Sequence, residues 1–218
     1  MIADRHNFED GAHLAESLAA RVAGILKNAV AKKDSAVLAV SGGTTPKPFF
    51  QALSQMPMEW SKVSVTLVDE RQVPEDSPRS NARLVKESLL QGKATAAQFI
   101  PLYQNPKAAD LPDFDCAILG MGNDGHTASF FPGGDHLAEA LAQNGKEAIL
   151  EMNAPGAGEP RLTFTLPKLL RADHLFLHIQ GQDKMSVLDK ALSGTDALEM
   201  PVRAVLNSVK PVELYWCP

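Results

Sequence analysis

The chain has 218 residues, 44% of them hydrophobic and 22% charged, the proportions of an ordinary globular protein rather than a disordered or fibrous one. Its net charge of −5, from 26 acidic and 21 basic side chains, argues against a nucleic-acid partner, because duplex binding needs a basic face. Two cysteines build neither a disulfide framework nor a Cys-rich metal site, and no apolar run is long enough to cross a bilayer. The N-terminal MIADRHNFEDG carries no signal pattern, so the expectation is a single domain over residues 1–218, cytoplasmic, with no membrane and no nucleic-acid partner.

Leu14, Leu18, Val22, Ile25, Leu26 and Ala29 recur at helical spacing and predict an amphipathic helix from Asp10 to about Lys32. Ala36–Val40 follows as a short apolar run, a buried strand. It breaks at Ser41-Gly42-Gly43-Thr44-Thr45-Pro46, after which Lys47 to about Leu53 starts a second helix. Val63–Val68 is β-branched and ends at Asp69-Glu70-Arg71. A loop from Gln72 to Ser80 leads into a helical stretch, Asn81–Leu90. After the Gln98–Leu102 run, Phe114–Leu119 reads as a strand running straight into Gly120-Met121-Gly122-Asn123-Asp124-Gly125-His126. Strands are expected at Ala148–Met152, Leu162–Leu166, His174–Ile179 and Val212–Trp216, with a helix from Asp183 to Leu192 and a surface turn at Gly156–Pro160. Strands alternating with helices predict an α/β fold: an open, mainly parallel Rossmann-like sheet with helices on both faces.

Ligands of open α/β sheets bind beyond the carboxyl ends of the strands, and three unusual segments fall there. Ser41 to Thr45 lies between a strand and a helix, where glycine-permitted turns and a helix N-terminus favour an anion; a plain tight turn is the alternative. It is neither a P-loop nor a dinucleotide fingerprint, and Ser41 is not in a nucleophile elbow. Gly120 to His126 delivers Asp124 and His126 to the same crevice. A neutral imidazole there can take a proton from water, while Asp124 either orients the ring or binds a substrate hydroxyl. Asp69 and Glu70 are adjacent at a strand end, so one faces the pocket while the other holds a loop. Arg71 reads as a phosphate contact or an ion-pair partner. Lys184 stands near a helix start, where a cation gains nothing from the dipole and a ligand anion would explain it. Arg161, just before the Leu162 strand, is a further candidate. His6, His13, His136, His174 and His178 show no zinc-site spacing, and no metal is required.

In combination these segments resemble the 6-phosphogluconolactonase family over essentially the whole chain. The matching strings are SGGTTP at Ser41–Pro46, DERQVP at Asp69–Pro74 with Ser80-Asn81, GMGNDGHTASFFPG at Gly120–Gly133, PRLTFTLPKL at Pro160–Leu169 and GQDK at Gly181–Lys184. The resemblance implies hydrolysis of 6-phospho-D-glucono-1,5-lactone to 6-phosphogluconate in the pentose phosphate pathway, without metal or organic cofactor. It implies that His126 is the general base and that Ser41, Gly42, Gly43, Thr44, Thr45, Arg71 and Lys184 contact the ligand, Lys184 through phosphate. Arg161 lines the pocket, and Asp69 and Asp124 belong to the site. The partner is then a small phosphorylated sugar lactone, and the protein a monomer or weak homodimer. Two features depart from the family: Gln180 stands where a threonine is common, and the chain ends at Tyr215-Trp216-Cys217-Pro218 without the usual acid and tail. A glucosamine-6-phosphate deaminase/isomerase shares the phosphate loops, but Phe131 occupies the position of its glutamate. A non-catalytic sugar-phosphate sensor is the other alternative.

Overall fold

The computed structural model describes residues 1–218. In chain order the elements are β1 (Ile2–Asn7), α1 (Gly11–Lys33), β2 (Ala36–Val40), α2 (Lys47–Ser54), β3 (Val63–Leu67) and β4 (Asp69–Arg71). There follow α3 (Asn81–Ser88), β5 (Gln98–Ile100), β6 (Cys116–Leu119), α4 (Leu137–Leu141), β7 (Ile149–Met152) and β8 (Arg161–Phe164). The last third holds α5 (Leu166–Leu170), β9 (His174–Gln180), α6 (Gln182–Leu192), α7 (Val202–Leu206) and β10 (Val212–Cys217).

Local chemistry sets the helix ends. The Asp10 carboxylate accepts from the N–H groups of Ala12 and His13 to start α1. Asp34 ends it in the left-handed region at φ 61°, with Lys32 and Lys33 in the last turn where the helix dipole favours cations. The expected apolar stripe of α1 is buried, from Leu14 through Ala29. Ser80 caps α3 through the N–H of Arg83.

Seven strands form a wholly parallel sheet in the order β1-β10-β9-β6-β2-β3-β5. Every residue of β2 and of β6 is buried. Successive strand side chains point to opposite faces, so both faces of the sheet centre are covered. The chain builds outward from β2 to β3 and β5, then crosses back to lay β6, β9 and β10 on the other side. That reversal opens a crevice beyond the carboxyl ends of β2 and β6. Two of the three suspected loops, Ser41–Pro46 and Gly120–His126, begin there.

A second, three-stranded antiparallel sheet, β4-β8-β7, was not expected. The chain passes from one sheet to the other at Val68, whose N–H bonds to Val40 while its carbonyl accepts from Phe164. The Ala148 and Leu162 strands therefore belong to this small sheet, and Leu166 opens α5 instead of ending a strand. The N-terminal strand β1 also escaped the sequence reading. Its middle residues Ala3, Asp4 and Arg5 are exposed and show no apolar alternation, because it is an edge strand held by parallel pairing to β10 alone. Cys116 and Cys217 are both buried and unpaired. No helix is long and apolar enough to cross a membrane.

Candidate active site

The crevice at the strand reversal is a cleft of about 360 Å³. Its floor and near wall come from the Ser41–Pro46 loop. Ser41 is fixed at the end of β2, where its N–H and hydroxyl both donate to the Ile118 carbonyl and its Oγ accepts from the Gly120 N–H. The hydroxyl thus ties the β2 and β6 loops together. The N–H groups of Gly42, Gly43, Thr44 and Thr45 have no acceptor in the protein, and the loop runs directly into α2. Gly43 needs to be glycine for its φ of 93°. Gly42 needs to be glycine for a different reason: an added Cβ would lie 1.8 Å from Asn81 Oδ1. Asn81 is buried, lines the cleft and donates from Nδ2 to the Asp69 carbonyl at 3.0 Å. It locks the loop against β4.

The second loop carries the dyad. His126 Nδ1 lies 2.6 Å from Asp124 Oδ1, and the same oxygen accepts the His126 N–H at 3.1 Å. Burial pushes the Asp124 carboxyl up, but its hydrogen bond and charge pairing with His126 outweigh that and hold it below the usual range. His126 lines the cleft while Asp124 sits behind it, so Asp124 fixes the ring through Nδ1 and leaves Nε2 for another partner. Of the two roles open for Asp124, ring orientation is the one its contacts match. Gly122 makes the fold-back possible: a Cβ there would fall 2.1 Å from His126 Nδ1 and 2.5 Å from Asp124 Oδ1. Thr127, fully buried, anchors the loop through its hydroxyl to the Gly120 carbonyl. Phe131 stacks on the imidazole with ring centroids 4.2 Å apart, and the Arg161 guanidinium carbon lies 5.3 Å from the same phenyl ring.

The third segment divides as its geometry required. Asp69 faces the cleft with Oδ2 held at 2.6 Å by the Ser129 hydroxyl and at 4.0 Å by Arg161. Glu70 turns the other way and accepts from the N–H groups of Arg71, Asn81 and Ala82. Burial raises the Glu70 carboxyl in spite of those three donors. Arg71 pairs with no acid: it donates to the Arg79 carbonyl, and its Nε is buried without a partner beside the cleft. Opposite it, Arg161 is buried at the start of β8, where burial first and the Arg71 charge second pull it below its normal range. Lys184 reaches the cleft from the first turn of α6; burial lowers its ammonium, partly offset by Asp124 and Asp183. The turn before α6 is set by Gly181, at φ 101°. Its N–H donates to the Cys217 carbonyl and its own carbonyl accepts from the Trp216 indole, so β10 anchors the turn that carries Lys184.

All the suspected residues except Asp124 line this one cleft, and Asp124 touches it through His126. Gly156–Pro160 is the surface turn the sequence suggested, with Gly156, Gly158 and Pro160 exposed, but it also meets the cleft: Gly156 lines it, Ala157 is buried and takes a hydrogen bond from Arg161, and Glu159 pairs with Arg79 at 3.0 Å. The sequence reading missed Asn81, Ser129 and His178. The Ser80-Asn81 string gave a signal for the first; the other two carry none, since their roles depend on contacts far along the chain.

A profile described as glucosamine-6-phosphate isomerases/6-phosphogluconolactonase matches residues 9–216. The chain belongs to this family. Within it, a 6-phosphogluconolactonase of Rhizobium meliloti is 48% identical, with the whole of both chains aligned. One from Mesorhizobium japonicum is 51% identical over 97% of this chain and 94% of its own. The crystal structure of a 6-phosphogluconolactonase from Shewanella baltica superposes with a TM-score of 0.94 at 38% identity, covering 99% of this chain and 97% of that one. The fold described above is thus shared with that structure over nearly the whole chain.

Proposed function

We propose that this chain is a cytoplasmic, single-domain 6-phosphogluconolactonase that hydrolyses 6-phospho-D-glucono-1,5-lactone to 6-phosphogluconate. The observation that carries the reading is the 2.6 Å contact between His126 Nδ1 and Asp124 Oδ1 at the edge of a cleft lined by Arg71, Arg161, Lys184 and the Gly42–Thr45 loop. Asp124 accepts a hydrogen bond from the Nδ1–H, which stays on the ring, and keeps the bare Nε2 toward the substrate. Nε2 takes a proton from water as the water oxygen bonds to the lactone carbonyl carbon. The carbonyl oxygen becomes an oxyanion, which donors in the cleft stabilise. Collapse breaks the bond to the ring oxygen, and the imidazolium returns its proton to that oxygen as it leaves. No covalent nucleophile takes part. The phosphate is held by the free N–H groups of Gly42 to Thr45, by Arg71 and by Lys184, with Arg161 on the same wall.

Phe131 favours lactone hydrolysis over the deaminase/isomerase reaction. The ring stacked on His126 has no group with which to relay a proton, whereas a glutamate in that position would. A non-catalytic sensor would have no need of the constrained dyad. The test is acid release from freshly made 6-phosphogluconolactone above its spontaneous rate, with glucosamine-6-phosphate run in parallel for ammonia release. His126→Ala is expected to lower kcat by about 10²-fold or more with a smaller effect on KM. Wild-type turnover in that variant removes the base assignment.

A further inference from the structure

His178 lines the cleft and has no role in the scheme above. It lies on β9, one residue beyond the Leu119–Leu177 pairing with β6, level with the Gly120 turn. Strand alternation puts it on the same face as Phe176, the face covered by α2. There the edge of its ring meets Phe49, with centroids 6.2 Å apart. α2 begins where the Ser41–Pro46 loop ends, and His178 lines the same cleft as that loop, in which the N–H groups of Gly42 to Thr45 have no acceptor in the protein.

Only 5% of His178 is exposed, yet it lines the cleft. Burial alone pushes its imidazole down to about 4, with neither a hydrogen bond nor a charged neighbour contributing. The ring is therefore neutral near pH 7 and keeps one N–H donor. His178 makes no hydrogen bond within the protein, and its ring nitrogens are not among the enclosed atoms that lack a partner, so the hydrogen-bonding capacity of the imidazole is open to whatever occupies the cleft. The placement is accounted for when a ligand in the cleft supplies the missing acceptor.

We propose that His178 is a substrate-binding residue whose neutral imidazole donates a hydrogen bond to the phosphate held by the Ser41–Thr45 loop. The proposal rests on the phosphorylated-lactone reading of the cleft. A neutral donor complements Arg71, Arg161 and Lys184: it adds direction for a phosphate oxygen without adding a further charge to repel them.

The test compares wild type, His178→Leu and His178→Gln, the last keeping an N–H donor. On 6-phosphogluconolactone, His178→Leu is expected to raise KM about tenfold, with a smaller change in kcat, and to weaken competitive inhibition by inorganic phosphate by a similar factor. His178→Gln recovers most of both. On unphosphorylated glucono-1,5-lactone the two variants match wild type in KM. Independently, titrating the full-length wild-type protein with inorganic phosphate is expected to move the ¹⁵N resonances of the His178 ring. Unchanged KM and phosphate inhibition in His178→Leu overturn the proposal. So does an equal KM increase on both lactones, or a loss confined to thermal stability. If wild type fails to hydrolyse the lactone, the lactonase reading falls, while the resonance titration still decides whether His178 meets phosphate.

Discussion

Gly122→Ala is expected to disable the protein by adding a single methyl group. The substitution is conformationally permitted, because Gly122 is not among the glycines with positive φ. The obstacle is steric and local. The new Cβ would stand 2.1 Å from His126 Nδ1, 2.2 Å from Cε1 and 2.5 Å from Asp124 Oδ1. Ordinary contact needs about 3.4 Å, so the ring and carboxylate retreat by about 1 Å or more, and a displacement of that size costs roughly 10²-fold in rate. The main chain cannot readily move away instead, since the Gly122 N–H is tied to the His126 carbonyl at 2.8 Å. Gly120→Ala is the matched control: its Cβ would meet only Ser41 Cβ, at 4.0 Å, an ordinary contact. Steady-state kinetics on 6-phosphogluconolactone, with Tm measured for both variants, separates the two. The reasoning fails if Gly122→Ala keeps wild-type kcat, or if Gly120→Ala loses as much.

Three further outcomes are expected. Asp124→Asn should lower kcat by about 10- to 100-fold with little change in KM, because the amide no longer imposes one tautomer on His126; the carboxylate is part-exposed, which keeps the loss below that of a buried triad acid. Since the native Asp124 carboxyl is held below its usual range, the pairing should persist as pH falls and be lost only on passing through that lowered value, a trend readable in the His126 imidazole resonances. Lys184→Ala should raise KM for the phosphorylated lactone by about 10- to 100-fold and leave the unphosphorylated lactone nearly unaffected; equal losses would remove Lys184 from phosphate binding. Finally, burial pushes the His178 imidazole down to about 4 from its ordinary value of 6.5, so between those values the unfolded chain should hold a proton that the folded one does not. Stability should fall as pH drops from 6.5 and level off below 4, a total of roughly 3 kcal/mol. Urea unfolding at pH 7 and pH 5 should show wild type losing roughly 2 kcal/mol more than His178→Leu, and parallel curves would refute the burial argument.

Much of this protein was legible in its sequence because the informative signals are local. The stripe of Leu14, Leu18 and Val22, the apolar run of β2 and the glycine turns after β2 and β6 depend on residues a few positions apart. Asp69 and Glu70 illustrate the same point: neighbours on a strand diverge, so one could be assigned to the cleft and the other to the loop before any contact was known. Tertiary structure decided what depends on chain crossings. The edge strand β1 exists through its pairing with β10, some two hundred residues away, and nothing in its own side chains announces it. The second sheet forms because the chain changes partners at Val68, a choice made by Phe164. His178 alternates like any strand residue, and only the arrival of α2 and the Ser41–Pro46 loop over that face turns it from core into cleft. Short-range periodicity is written along the chain; which surfaces meet is settled by the packing of elements that the sequence keeps far apart.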